Sequence, residues 1–354
     1  MRGMYIHVPF CLIKCGYCDF YSMNFSNSNA DIYTKAVCER LDLIDDEVDT
    51  VYFGGGTPSC IGERRICEIL SHIHATPCAE ITVECNPKTA TARFMNTVAK
   101  SGVNRISIGL QSANDDELLK LTRTHRAVDV KNAVYNAKSA GIDNISLDIM
   151  IGIEGQTRAC LAHTIDFCNE LSVPHISAYM LKIEPDTPFS SRNRDDFPDD
   201  DKTADLFEFA VETLKKFGYE HYEISNFAKS GTYSKHNLKY WNCDEYYALG
   251  PAAYSFLDGK RYYYPRDFDY FVSGGEMLFD SGFDGFSEYA MLRLRLKWGL
   301  EFCDIKSRGL KIPDGFIDKC KRFEKMGLMN VDENGVRMTE KGMLVQNAVL
   351  CEIL

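Results

Sequence analysis

The sequence predicts an α/β protein: a partial (β/α)6 barrel followed by a small C-terminal α+β module of winged-helix type. Three observations predict it. Short β-rich runs alternate with longer helix-like stretches six times within residues 1–185, the pattern of right-handed βαβ units on a parallel sheet. Polar and glycine residues recur at the C-terminal ends of those runs, the edge where parallel α/β barrels build their sites. Residues 285–354 then read as helix, helix, hairpin, helix.

The strands are expected at residues 4–8, 50–53, 81–84, 105–110, 144–150 and 175–181. Helices are expected at 29–43, 63–73, 89–100, 128–140 and 157–171, with Gly102, Gly141 and Pro174 as stop signals. The stretch "PDTPFSSRNRDDFPDDD" is polar and proline-bearing and reads as a linker. A helix at 201–216, a possible seventh strand at 219–225 and a tyrosine-rich stretch at 232–270 around Trp241 follow. The C-terminal module has helices at 287–297 and 316–326, a hairpin turning at 333–335, and a last helix at 340–354. The expected domains are a barrel core at 1–185, an extension at 186–284 and the C-terminal module at 285–354.

A chain of 354 residues is long enough for a sizeable core. Its net charge of −11 argues against a nucleic-acid partner, which requires a basic face. No run of 18 or more apolar residues predicts a transmembrane segment, and the N-terminus lacks signal-peptide character. Fourteen cysteines without a secretory signal read as reduced thiols and a cytoplasmic location. Isolated ones such as Cys38, Cys168 and Cys320 read as small core hydrophobes.

Cys11, Cys15 and Cys18 are different. They fall just past a strand end, in "FCLIKCGYCDF", at a spacing that lets three thiolates converge. A structural zinc site takes four ligands, here with His7 or a remote cysteine as the fourth. Iron–sulfur clusters are held by thiolates at short, irregular spacings, and three ligands on a four-iron cluster leave one iron open. Independently, Gly54–Gly56 in "GGGTP", Glu84 in "VECNP", Gln111 in "ISIGLQS" and Asp148 in "SLDIMIG" all fall on the predicted rim. No Lys-Ser or Lys-Thr follows the glycines, which excludes a P-loop. Acids inside apolar strands are seldom buried without partners.

"YIHVPFCLIKCGYCDF" resembles the opening of radical S-adenosylmethionine (SAM) proteins of the oxygen-independent coproporphyrinogen III oxidase-like group. "VYFGGGTPS", "VECNP", "NRISIGLQS", "LTRTH", "SLDIMIG", "YEISNFA" and "HNLKYW" match that group in order, over nearly the whole chain. The resemblance implies a radical SAM barrel with a [4Fe–4S] cluster on Cys11, Cys15 and Cys18. It implies SAM chelated to the open iron, with Tyr5, Gly55, Gly56, Thr57, Glu84, Gln111, Arg123, Asp148 and Met150 around it. One electron passed into the sulfonium would give methionine and a 5′-deoxyadenosyl radical. The roles make chemical sense: a carboxylate suits a ribose diol, and a guanidinium suits the SAM carboxylate.

The group holds an oxidase, which decarboxylates two propionates of coproporphyrinogen, and a heme chaperone, which binds heme and passes it to an accepting protein. The oxidase has a further cysteine two residues after the third ligand. Here that position is Phe20, and only ten residues precede Cys11, both as in the chaperone type. "HNLKYW" is the element that the chaperone type associates with heme, so His236, Tyr240 and Trp241 are the expected heme residues, His236 as axial ligand. The alternative is the oxidase. Two departures from the chaperone pattern stand out. "LGPAAYSF" carries Pro251 and Tyr254 where glycine and histidine are expected, and Gly152 is followed by Ile153 and Glu154 instead of Leu-Pro.

Overall fold

A computed structural model describes all residues, 1–354. The six expected strands form: β1 (Arg2–Val8), β2 (Val48–Gly55), β3 (Ala75–Cys85), β4 (Arg105–Gln111), β5 (Asn144–Ile151) and β6 (His175–Met180). They pair in that order and every pairing is parallel. Helices Asn27–Leu41, Glu63–Ser71, Ala92–Lys100, Ala127–Ser139 and Arg158–Glu170 make the crossovers. Side-chain oxygens start three of them: Ser26 accepts from the Asn29 N–H, Thr91 from Phe94 and Thr157 from Cys160.

The two faces of β1–β6 differ in polarity. Ile6, Val51, Phe53, Ile106, Ile108, Leu147 and Ile176 are fully buried against the helices in one continuous core. The alternate positions carry Tyr5, His7, Thr50, Tyr52, Glu80, Glu84, Arg105, Ser107, Ser146, Asp148, His175 and Ser177. Register puts these next to one another: Tyr5 opposite Tyr52, Thr50 opposite Glu80, Glu84 opposite Ser107, Asp148 opposite Ser177. Parallel strands are usually apolar on both faces. Here one face lines a polar lumen.

The sheet continues at both edges. On the β6 side, β7 (Glu220–Glu223) and β8 (Asn226–Ala228) are antiparallel. The expected strand at 219–225 is therefore a hairpin arm, because two residues can join antiparallel strands but not a parallel pair. On the β1 side, β9 (Tyr246–Leu249) pairs parallel with β1 and is the seventh parallel strand. An antiparallel meander follows: β10 (Tyr254–Leu257), β11 (Lys260–Tyr263) and β12 (Leu278–Gly282).

In the C-terminal module, helices Gly285–Arg293, Phe302–Ser307 and Phe316–Lys325 pack with a three-stranded sheet of Leu300–Glu301, Gly335–Met338 and Met329–Val331. The Asp332 carboxylate accepts from the Asn334 and Gly335 N–H groups at 2.9 and 3.1 Å and closes the expected hairpin turn. The last expected helix is two, broken at Val345. Arg295 binds Glu223 at 2.6 Å and ties the module to the β7 edge.

Leu147 lies fully buried on the helix-facing side of β5. Leu147→Ala is expected to cost about 2–5 kcal/mol of stability, read as a lower urea midpoint at unchanged slope.

Candidate functional site

Pro9 ends β1. Phe10–Cys11 then pairs with Met23–Asn24, so residues 12–22 form a loop closed at its base. Three distant segments hold this loop. Thr122 Oγ1 accepts from the Gly16 N–H at 2.8 Å, and the Phe189 N–H donates to the Gly16 carbonyl at 3.0 Å. Arg123 Nη1 donates to Cys15 Sγ at 3.1 Å. Cys11 Sγ lies 3.5 Å from Thr57 Oγ1, and the Thr57 N–H donates to the Phe10 carbonyl at 2.7 Å. Gly55 has φ +108, and a Cβ there would fall 2.7 Å from the His7 ring, so the "GGGTP" turn needs glycine at that point.

Cys11 is buried, while Cys15 and Cys18 are half-buried. Burial raises the Cys18 thiol, and the fields of Cys15 and Cys11 add to it. No three His, Cys, Asp or Glu side chains close on a point at the spacing of a single ion. Zinc with Zn–S near about 2.3 Å needs that closure. The suggested fourth zinc ligand, His7, has both ring nitrogens engaged: Nδ1 with the Tyr5 hydroxyl at 3.2 Å and Nε2 with the Tyr21 carbonyl at 3.0 Å.

Arg123 Nη2 donates to the Gly109 carbonyl at 2.9 Å, and a Cβ at Gly109 would press on that nitrogen at 2.8 Å and displace the guanidinium. Its Nε is buried without a partner. A guanidinium with a spare buried N–H beside the cysteine loop fits an anionic group such as a carboxylate.

Glu84 accepts from the Tyr52 hydroxyl at 2.7 Å. Burial raises its carboxyl to about 7, with Asp148 adding to the rise. Asp148 accepts from Ser107 at 3.2 Å, and burial raises it to about 6. Gln111 ends β4 at a bulge with φ +67, a strained conformation of the kind found at binding sites. Met150 packs beyond it with Leu121, Ile153 and Phe189. Deeper in the lumen Arg105 is buried with no direct ion pair, and its Nε has no partner. Burial opposes its charge, and the fields of Glu80, Tyr52, Tyr222 and Asp148 outweigh that.

Tyr5, Gly55 and Glu84 open onto one cavity of about 1170 Å³, at the upper end for ligand sites. Asp19, Phe20 and Tyr21 of the cysteine loop form part of its wall, as do Tyr240 and Trp241. The opposite wall is the β10–β11 ribbon. Tyr254 stacks on its cross-strand partner Tyr263 at 5.4 Å, and Arg261 lies over Phe256 at 4.8 Å. Arg266 also borders the cavity and donates to the Asp19 carbonyl at 2.7 Å. Cys15, Thr57 and Arg123 line a separate small cleft behind the loop.

The structure does not bring His236 to this cavity. The ring is fully buried under the N-terminal ends of the barrel strands. Nδ1 is bonded to Thr50 Oγ1 at 2.9 Å and Nε2 to the Tyr240 hydroxyl at 2.8 Å, and the ring stacks on Tyr52. Burial pushes it down to about 3. It closes the far end of the barrel, with both ring nitrogens engaged inside the chain in this structure.

Several participants escaped the sequence reading: Thr122, Phe189, Arg105, Arg266 and the β10–β11 wall. Asp258-Gly259 was the available signal for that wall, since this dipeptide with both φ values positive forms the tight hairpin turn.

Residues 5–168 match the model of the radical SAM superfamily, and residues 284–345 match that of the HemN C-terminal domain. The solved Escherichia coli coproporphyrinogen III oxidase, HemN, superposes with a TM-score of 0.85 over 99% of this chain and 89% of its own, at 19% identity. Fold and cysteine loop together define a radical SAM protein. The heme chaperone HemW of Bacillus subtilis is 32% identical over 99% of this chain and 98% of its own, and that of Lactococcus lactis is 37% identical over 74% and 71%. The chain belongs to the HemW family of heme chaperones.

Removing the lumen cation should leave its acids uncompensated. Arg105→Met is expected to lose about 3–5 kcal/mol at pH 8. The loss should shrink towards pH 6, where Glu84 and Asp148 take up protons. Chemical denaturation at the two pH values measures this; an equal deficit at both would contradict it.

Proposed function

We propose that this protein carries a [4Fe–4S] cluster on Cys11, Cys15 and Cys18 and binds SAM at the barrel mouth. We further propose that it takes heme into the adjoining cavity for transfer to a heme-accepting protein. The cavity carries the reading: Asp19, Phe20 and Tyr21 of the cysteine loop and the Tyr5–Glu84 rim border one chamber large enough for a planar macrocycle, and Cys15, Thr57 and Arg123 line a cleft beside it. Aromatic walls suit a porphyrin face. Arg266 forms no ion pair with a carboxylate of the chain and suits a heme propionate.

The cluster and SAM, when bound, supply one-electron chemistry. The protein's own part is placement. Arg123 holds an N–H towards the SAM carboxylate, Glu84 accepts from the ribose hydroxyls, and Gly55, Gly56 and Thr57 let the methionine end approach. Tyr5, Gln111, Asp148 and Met150 complete the pocket. His236, Tyr240 and Trp241 of the HNLKYW helix stay in the proposal as heme residues. The barrel core at 1–185, the extension at 186–284 and the module at 285–354 are the working domain division. Fourteen cysteines, none of them in a disulfide, support a cytoplasmic location.

After anaerobic reconstitution the wild type is expected to hold about four irons per chain and Cys15→Ala almost none; full iron retention would sink the cluster assignment. Hemin should bind the reconstituted protein, and coproporphyrinogen should not be decarboxylated. The reverse pair of results would make it an oxidase.

Glu84 stands near 7 in the free protein, and ribose hydroxyls favour its ionised form. SAM affinity is therefore expected to rise about tenfold from pH 6 to pH 8. Glu84→Gln should bind weakly and show no such rise. Calorimetry at the two pH values is the check, and a flat wild-type profile would remove Glu84 from the ribose site.

A further inference from the structure

We propose that Arg266 anchors a heme propionate and turns the carboxylate edge of the macrocycle towards the cysteine loop. The proposal rests on the reading of the cavity as a heme site and deepens it. It takes nothing from His236, Tyr240 and Trp241 as heme residues.

Charge accounting leads to it. Five acidic side chains border the cavity: Asp19, Glu84, Asp244, Asp284 and Glu288. Its basic side chains are Arg261 and Arg266. His7 also borders it, but burial lowers the imidazole and the field of Arg266 adds to that, so the ring is neutral. Arg261 is committed: its Nε donates to Glu288 Oε1 at 3.0 Å, and its Nη2 donates to the same oxygen. Arg266 spends one N–H, from Nη2 to the Asp19 carbonyl at 2.7 Å. Its neighbour Asp267 is occupied as the cap of helix Phe268–Val272, accepting from the Tyr270 N–H at 3.0 Å. Arg266 is therefore the cation of the chamber with charge left for an anion. Among so many acids, a carboxylate settles only where a cation answers it.

The guanidinium is also placed. The Tyr264 and Pro265 carbonyls both accept from the Ala252 N–H, at 3.1 and 3.0 Å, and the Asp267 N–H donates to the Pro265 carbonyl at 2.8 Å. These bonds fix the backbone on either side of Arg266, and the bond to Asp19 fixes its head. A cation held this way spends little entropy on capture. Heme carries both carboxylates on one edge, so one placed cation orients the whole ring. The other edge then falls towards Met291 and Leu292 of helix Gly285–Arg293, where Asp284 and Glu288 would repel a carboxylate.

The test compares hemin with its dimethyl ester, which keeps iron and ring and removes the charge of both carboxylates. The reconstituted wild type should bind hemin about tenfold more tightly than the ester. Arg266→Gln should bind the two equally, at the wild type's affinity for the ester and with an unchanged heme spectrum. Arg266→Lys should keep part of the preference, since an ammonium still supplies a point charge. Each variant is compared with itself across the two ligands, so a general loss of folding cannot imitate this result. A wild type that binds both ligands equally overturns the propionate anchor and leaves the heme reading standing. A preference that survives Arg266→Gln undiminished overturns Arg266 as its source. No hemin binding by the wild type overturns both the anchor and the heme reading.

Discussion

Everything in this protein depends on a sheet whose two faces have opposite solvent preference. The helix-facing side of β1–β6 is aliphatic and fully buried. The other side is hydroxyls, phenols, imidazoles, carboxylates and one guanidinium. Period-two alternation in a parallel strand forces that separation, and a one-residue slip would exchange the faces. A polar face cannot pack against helices without leaving buried groups unpaired. It can curl around a lumen, where its groups bond one another and meet a polar ligand at the open rim.

A lumen built this way has to balance charge as well as hydrogen bonds. Glu80, Glu84 and Asp148 bring three carboxyls into it, and burial raises all three. Arg105 answers them through its field, not through contact. A tight ion pair would saturate the acids. A distant cation leaves Glu84 bonded to the Tyr52 hydroxyl and free of any ion pair, so it can still accept from a ligand. The plug at the far end follows the same logic: His236 spends both nitrogens on Thr50 and Tyr240 and remains neutral.

The parts legible in the sequence were those whose signal is local. The cysteine triplet, the rim acids and the βαβ alternation each sit within a few residues of their cue. What escaped acts at a distance or through backbone geometry. Thr122 and Phe189 hold Gly16 from positions more than 100 residues away, and nothing near "LTRTH" or in the polar linker announces it. The β9 strand is four residues long and lies in a run of tyrosines, too short for periodicity to register. His236 was legible as a motif residue, but its burial follows from Thr50 and Glu80, which the sequence sets far away.

The cysteine loop faces two ways, and that joins the two halves of the site. Its thiols turn towards Thr57 and Arg123, while Asp19, Phe20 and Tyr21 turn towards the cavity. The Phe20 carbonyl is held from within the loop by Lys14, and that of Asp19 from outside it by Arg266. Arg266 in turn lies three residues past Tyr263, on the segment that leaves the aromatic wall. The aromatic wall and the loop that carries the cysteines are thus joined by one hydrogen bond, from Arg266 to the Asp19 carbonyl. The cavity wall and the cysteine loop position one another without any contact between distant domains.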